Sequence, residues 1–253
     1  MAYLDREKQI LAILDENSTI SIKELMQKIY ASEATIRRDL KKLEDKGLIV
    51  RPHGKVTRTA TFADKNVDLS FRETFQNPIK RMLAEKAVCS CVKSGSVVML
   101  DASTTAMNVV PFLSKYNDII VITSGLKTSV LLAQTNLKFY CTGGRAINTS
   151  YSYIGQTAIN TLKTFNADVC LVSCHGLSED GFATDTSERE NDVRHTIMAQ
   201  SKRKILLIDS SKINKGCWHN LCHISEFDEV FCDAPLPDYI GSQVKTFHLV
   251  ERT

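Results

Sequence analysis

No apolar run in this 253-residue sequence approaches the roughly 20 residues that a helix needs to cross a bilayer. The opening decapeptide MAYLDREKQI lacks the apolar stretch of a secretory signal. Cytoplasm is therefore the expected compartment, and no membrane is expected as a partner. No C-x-x-C pair occurs either, although there are eight cysteines. Cys89, Cys91, Cys141, Cys170, Cys174, Cys217, Cys222 and Cys232 are scattered, several in apolar runs such as DVCLVSC and EVFCDA. That distribution fits reduced, buried thiols rather than a disulfide framework. The segment CWHNLCH brings Cys217, His219, Cys222 and His223 close together, but the spacing matches no standard zinc site. These four are read as core or loop residues, and neither a metal nor a cofactor is expected.

Excess charge is also missing from most of the chain. The first sixty residues hold 12 Lys and Arg against 9 Asp and Glu, and the remaining 193 hold 20 of each, so the whole net charge of +3 sits at the N-terminus. A basic N-terminal module joined to a neutral body is the reading.

Within that module Leu4, Ile10, Leu11, Ile13 and Leu14 fall near one side of a first helix, ended by Asn17 and Ser18. Ser21 and Glu24 have the spacing of a capping box at the start of a second, short helix through Leu25, Met26 and Ile29. After a tight turn at Tyr30-Ala31, Ser32 is a good N-cap for a third helix over residues 33–46, with Gly47 as its stop. Ile36, Leu40 and Leu43 share one face of it, while Thr35, Arg38, Lys41 and Lys42 lie away from that face and Arg37 flanks it. Short polar groups near the start of a helix, with cations further along, suit a DNA-reading helix. Small polar and Arg side chains reach base edges, and Lys and Arg neutralise phosphates. The segment LIVRPHGKVTR then reads as a hairpin with a basic tip, a wing whose Arg51, His53, Lys55 and Arg58 could touch the DNA backbone. Ser21, Ser32, Glu33, Thr35, Arg37, Arg38, Lys41, Lys42, Arg51, His53 and Lys55 are the expected DNA-side residues.

These residues carry a resemblance. Arg6, Ile10 and Leu14 at four-residue steps, followed by Ser32 and then TIRRDL from Thr35 to Leu40, match at every position the N-terminal signature of the DeoR family of bacterial transcriptional regulators. The winged helix-turn-helix is thus expected to span residues 1–58. Residues 59–78 lack periodicity and mix polar groups with Phe62, Leu69, Phe71 and Phe75, as a linker packed partly on the body would.

From Pro78 a helix is expected, with Ile79, Leu83, Ala87 and Cys91 spaced by four. Then short apolar runs, VVML, IIVIT, KFYCT, DVCLVS, KILLID and EVFCD, alternate with helical segments. Such alternation indicates an α/β body over residues 79–253, built on a largely parallel sheet covered on both faces. Ligands of such sheets sit beyond the carboxyl ends of the strands. There the sequence places Asp101, Ser103, Thr104 and Thr105; Ser124; Gly143, Gly144 and Arg145; His175 and Gly176; and Ser210, Ser211 and Lys212. Hydroxyls at a helix start and cations at other strand ends suit an anion.

The resemblance extends over the body, which looks like the DeoR sensor domain and is similar to ribose-5-phosphate isomerase. It implies that DASTT is a phosphate-binding loop, that Lys212 of DSSK contacts the phosphate, and that Glu190 is a polar contact in the segment closing the site. It also implies a phosphorylated-sugar effector, operator DNA and a homo-oligomer, dimer or tetramer. The chain departs from the pattern in two places. Ala102-Ser103 stands where Ser-Gly is common, and SCHG, with His175, replaces the acidic Asp-Gly-Ala-Asp segment of the isomerases. Asp101, Asp185, Glu188 and Glu190 remain as carboxylates, so an isomerase-like enzyme with a DNA-binding arm is the alternative to a repressor released from its operator by a sugar phosphate. The lost carboxylate and the N-terminal module favour the repressor.

Overall fold

The computed structural model describes residues 2–17, 19–45, 49–51, 55–58, 72–73 and 76–251. The chain divides into two compact units, Met1–Val67 and Asp68–Thr253.

In the first unit the helices are α1 (Ala2–Glu16), α2 (Ile22–Ile29) and α3 (Glu33–Asp45). Ile10 and Leu14 of α1, Leu25 of α2, and Ile36, Leu40 and Leu43 of α3 are fully buried together. Burying each such side chain contributes about 1.5–3 kcal/mol. Polar groups fix the register of this small core. Arg6 Nε donates to Asp39 Oδ2 at 2.7 Å, tying α1 to α3 through an aspartate that is itself buried. The capping box of α2 forms as its spacing predicts. Ser21 Oγ accepts from Glu24 N at 3.2 Å, and Glu24 Oε2 accepts from Ser21 N at 2.8 Å.

One feature lay outside the sequence reading. Ile20–Ser21 forms a strand, β1, which pairs antiparallel with β3 (Lys55–Arg58), and β3 also pairs with β2 (Ile49–Val50). The wing is thus the outer part of a three-stranded sheet ordered β1-β3-β2, with Ile20, Ile49 and Val56 closing the core from below. The wing tip, with His53, lies outside the described residues, as do Gly47 and the phenylalanines expected in the linker.

The second unit opens with the helix Asn77–Cys91, with Pro78 in its first turn. Its main strands are β4 (Val97–Leu100), β5 (Ile120–Thr123), β6 (Lys138–Cys141), β9 (Ala167–Val172), β12 (Ser201–Leu207), β14 (Glu229–Cys232) and β15 (Phe247–Leu249). They form one seven-stranded sheet, ordered β15-β14-β12-β9-β4-β5-β6, in which every pairing is parallel. Alternation along the strands gives two cores. Met99, Ile122, Cys170, Val172 and Leu206 face the helices Gln156–Leu162 and Glu188–Ala199. Val98, Leu100, Val121, Leu171 and Leu207 face the helix Asn77–Cys91 and the short turns that follow β4. Two small antiparallel additions were not foreseen: the pair β7 (Arg145–Ile147) with β8 (Ser152–Ile154), and the sheet β10-β11-β13 (Gly176–Leu177, Phe182–Asp185, His219–His223). All eight cysteines are free.

The chain runs from β4 outward to β5 and β6, then returns to the other side of β4 as β9. Strand order therefore reverses between β4 and β9, which opens a crevice beyond their carboxyl ends.

Removing the α2 cap isolates one local contribution. Ser21→Ala should lower the stability of the N-terminal unit by about 1 kcal/mol, read as an earlier denaturation transition of that unit while the transition of the second unit stays in place.

Candidate functional site

At the floor of the crevice lies a chain of buried charges. Asp101, directly after β4, accepts from Arg194 Nε at 2.8 Å and from Ser173 N at 3.3 Å through Oδ2. Its Oδ1 accepts from Ser103 N at 3.1 Å and from Ser103 Oγ at 2.6 Å. Ser103 Oγ in turn accepts from Ala106 N at 3.1 Å and caps the one-turn helix Thr104–Met107. Arg194 Nη1 also donates to Asp185 Oδ2 at 3.1 Å, and Asp185 Oδ1 lies 2.9 Å from His175 Nδ1. Burial alone would raise the Asp185 carboxyl, but His175 and Arg194 outweigh it and hold it well below the usual range. Burial likewise opposes the Arg194 cation, and Asp185, Asp101 and Glu190 outweigh that and raise its pKa. Sequence reasoning missed Arg194. The available signal was a lone arginine between Val193 and Ile197 on the buried side of the helix Glu188–Ala199.

Above this floor two lysines converge. Lys212, in the turn after β12, donates to Ser173 Oγ at 2.8 Å and lies 3.9 Å from Asp209 Oδ2. Lys80, from the helix Asn77–Cys91, is 3% exposed and donates to Thr104 Oγ1 at 3.2 Å and to the carbonyl of Arg72. Burial, then the neighbouring Lys212 charge, pushes the Lys80 amine down to about 7, against the pull of Asp209. Arg72 also reaches the site. Burial lowers its pKa, while Glu190, Asp185 and Asp101 raise it and Arg194 lowers it further. Among the described residues, Thr105 Oγ1, Asp209 Oδ2 and Arg72 Nε are buried side-chain atoms with no hydrogen-bond partner. Asp209 and Arg72 act on the Lys80 charge, and Thr105 follows the Thr104 that Lys80 bonds, so the crevice has polar capacity left over. Lys80 and Arg72 were not among the residues singled out from the sequence.

The other expected pocket residues distribute differently. Thr104 and Thr105 are buried at the start of their short helix, and Thr104 bonds Lys80 rather than Lys212. The lone pairs of Asp101 and the hydroxyl of Ser103 are taken by protein partners, so these two support the turn. Ser124 is buried, and its carbonyl accepts from Tyr153 N at 2.7 Å. Glu190 is half-buried at the start of its helix, where its N–H is capped by Ser187 Oγ. Gly143 and Gly144 adopt positive φ, and a Cβ on Gly144 would sit 2.9 Å from the Ile154 carbonyl. Gly144 is thus required by close packing on β8, and Arg145 is exposed on β7. Gly176 is likewise packed, since a Cβ there would run into the Lys215 carbonyl. His219 and His223 are used by Asn191 and Ser225, and no metal-holding cluster occurs among the described residues. A surface hollow of about 710 Å³ lies at the amino ends of β5 and β6, lined by Ser114, Tyr116, Gln134, Asn136 and Lys138, away from the crevice.

On the first unit, Ser32, Glu33, Arg37, Arg38, Lys41 and Lys42 are exposed on α3 and Thr35 is half-buried, opposite the buried Ile36, Leu40 and Leu43. Ser32 Oγ accepts from Thr35 N at 3.3 Å, which caps α3. Arg37 pairs with Glu33 at 2.7 Å, and Arg51 Nε with Glu44 at 2.9 Å. Lys55 is exposed on β3.

Family models match both units. The DeoR-like helix-turn-helix domain covers residues 6–61, and the DeoR C terminal sensor domain covers residues 76–234. The chain belongs to the DeoR family. It is a DNA-binding transcriptional regulator. Among relatives of this DeoR-family chain, the L-fucose operon activator of Haemophilus influenzae is 30% identical over 233 residues, 92% of this chain and 93% of that one. The glycerol-3-phosphate regulon repressor of Escherichia coli is 26% identical over 252 residues, 99% and 98% of the two chains. Among solved structures, ribose 5-phosphate isomerase A from Methanocaldococcus jannaschii is 16% identical, with a TM-score of 0.42 over 55% of this chain and 56% of that one. No helix among the described residues is long and apolar enough to cross a membrane.

The buried lysine yields a stability test. Its folded pKa is about 7 against an ordinary 10.5, so between these values the unfolded chain binds more protons and stability rises with pH. The penalty is full below about pH 7. Lys80→Met should therefore stabilise the ligand-free sensor unit by about 1 kcal/mol or more at pH 6, with a smaller gain at pH 9. Denaturation midpoints at the two pH values check this.

Proposed function

We propose that this regulator represses a sugar-metabolism operon and is released from its operator by a phosphorylated sugar. The observation that carries the reading is a pair of neighbouring lysines, Lys80 on Thr104 and Lys212 on Ser173, with Asp209 beside them offering a buried oxygen that lacks a partner. A phosphate dianion there would accept charge-assisted hydrogen bonds from both lysines and could accept from the Thr105 hydroxyl. The open Asp209 Oδ2 could accept from a sugar hydroxyl, and Arg72 and Glu190 would border the remainder of the ligand. The names of the two relatives, one tied to fucose and one to glycerol 3-phosphate, support a polyol or sugar-derived effector.

Response would follow from linkage. If effector and operator prefer different arrangements of the protein, each weakens the other's binding by the same factor. The protein would act as a homo-oligomer, dimer or tetramer, since winged modules read repeated half-sites. Its place is the cytoplasm, with the DNA.

The geometry disfavours catalysis. Asp101 and Asp185, which could have served as a base, are both held by Arg194. An aldose-ketose isomerase needs a carboxylate free to take a proton from carbon. His175, in place of the missing acid, is directed at Asp185.

Two variants separate the two units. Arg38→Ala should weaken binding to a duplex selected by the wild-type protein from a random library, measured at one stated salt concentration, and leave the effector-induced thermal shift intact. Lys212→Met should do the reverse. For the wild type, a sugar phosphate at 100 times its dissociation constant should add about 2.7 kcal/mol of stability, whereas the free sugar should add almost nothing. A Lys212→Met protein that still releases DNA with the phosphate would show the pocket to be misassigned. Incubation of the wild type with ribose 5-phosphate and related sugar phosphates should give no ketose-aldose conversion. Turnover abolished by Glu190→Gln would establish an enzyme instead.

A further inference from the structure

Tyr30 is at odds with its surroundings in two ways. It caps α2 with φ 54° and ψ 43°, the left-handed conformation that glycine or asparagine usually takes at a helix end. For a residue with a Cβ this costs roughly 1–2 kcal/mol. Its side chain is also 95% exposed, and among the described residues it makes no hydrogen bond, ion pair or ring contact. No contact among the described residues offsets either feature. A strained residue with no internal reward points to a partner outside the chain.

Position identifies that partner. Tyr30 lies two residues ahead of Ser32, the cap of α3, and so stands at the same end of α3 as Ser32 and Thr35. Exposed Lys28 precedes it on the last turn of α2, and exposed Arg37 and Arg38 follow on α3. Tyr30 thus stands in the turn between two helices whose adjoining ends carry exposed cations, next to the helix expected to meet DNA. Recognition helices present their N-terminal residues to the major groove, and the helix before them, whose end Tyr30 caps, crosses the backbone. Tyrosine hydroxyls are among the groups that bond phosphate oxygens there.

We propose that Tyr30 is a DNA-backbone contact whose phenol hydroxyl donates to a phosphate oxygen bordering the groove that α3 enters. This rests on the reading of α3 as the recognition helix. The contact adds affinity for DNA of any sequence, and it gives a role to a tyrosine where glycine or asparagine would relieve the backbone.

The test uses the full chain and two duplexes, one selected by the wild-type protein from a random library and one of unselected sequence. Tyr30→Phe and Tyr30→Asn should weaken binding to both duplexes, by about tenfold from the usual worth of a hydrogen bond to a charged group. Tyr30→Asn should melt no lower than wild type, because asparagine tolerates the left-handed region, so lost binding cannot be put down to unfolding. Nitration should modify Tyr30 in the free chain and spare it in the complex, while Tyr239, 51% exposed on the sensor unit, reacts in both. Wild-type affinity of Tyr30→Phe for both duplexes overturns the proposal. So does protection of Tyr30 without DNA, which would indicate a second copy of the chain as its cover. Arg38→Ala on the same selected duplex keeps the two readings apart. Undiminished binding by that variant defeats the assignment of α3, whereas undiminished binding by Tyr30→Phe alone defeats only the assignment of Tyr30.

Discussion

The sensor unit depends on one buried cation. Arg194 joins the end of β4 through Asp101 to the end of β11 through Asp185, and Asp101 reaches the end of β9 through the backbone of Ser173. Removing these groups from water is expensive, and the gain over a well-packed apolar core is small. What the network supplies is position. Three chain segments far apart in sequence can satisfy their charges in only one arrangement, and that arrangement fixes the turn carrying Thr104 and Thr105. The lysines and hydroxyls proposed to meet an anion are therefore not the groups that hold the crevice together.

That division explains why Asp101 reads so differently in sequence and in structure. In the string DASTT, an aspartate beside hydroxyls at a helix start resembles a ligand group. In three dimensions both its oxygens are occupied, by Ser103 on one side and by Arg194 and Ser173 on the other. The charge of Asp101 is balanced by buried Arg194, and its other oxygen orients the serine that caps the turn.

Local features were legible in the sequence because their causes are local. The capping box of Ser21 and Glu24, the buried face of Ile36, Leu40 and Leu43, and the apolar strands each follow from spacings of a few residues. What escaped was long-range. Lys80 meets Thr104 across 24 residues, and Arg194 meets Asp101 across 93. Neither contact leaves a periodic trace. Lys80 sits among Ile79, Leu83 and Ala84 in what reads as an ordinary amphipathic helix, and only packing shows that its amine is enclosed. The strand at Ile20–Ser21 was hidden for another reason. Two residues are too short for alternation to register, and their pairing with Val56 and Lys55 lies across the whole recognition element.

The strand order also governs how the chain can assemble. The central pairing of the sheet joins Val98 of β4 to Val169 of β9, so its middle cannot close until some seventy intervening residues exist and have been gathered in. The N-terminal unit has no such requirement. It spans only Met1–Val67, and on a ribosome it can fold while the sensor is still being made. For part of its synthesis the nascent chain therefore carries a complete DNA-reading module with no receptor to govern it.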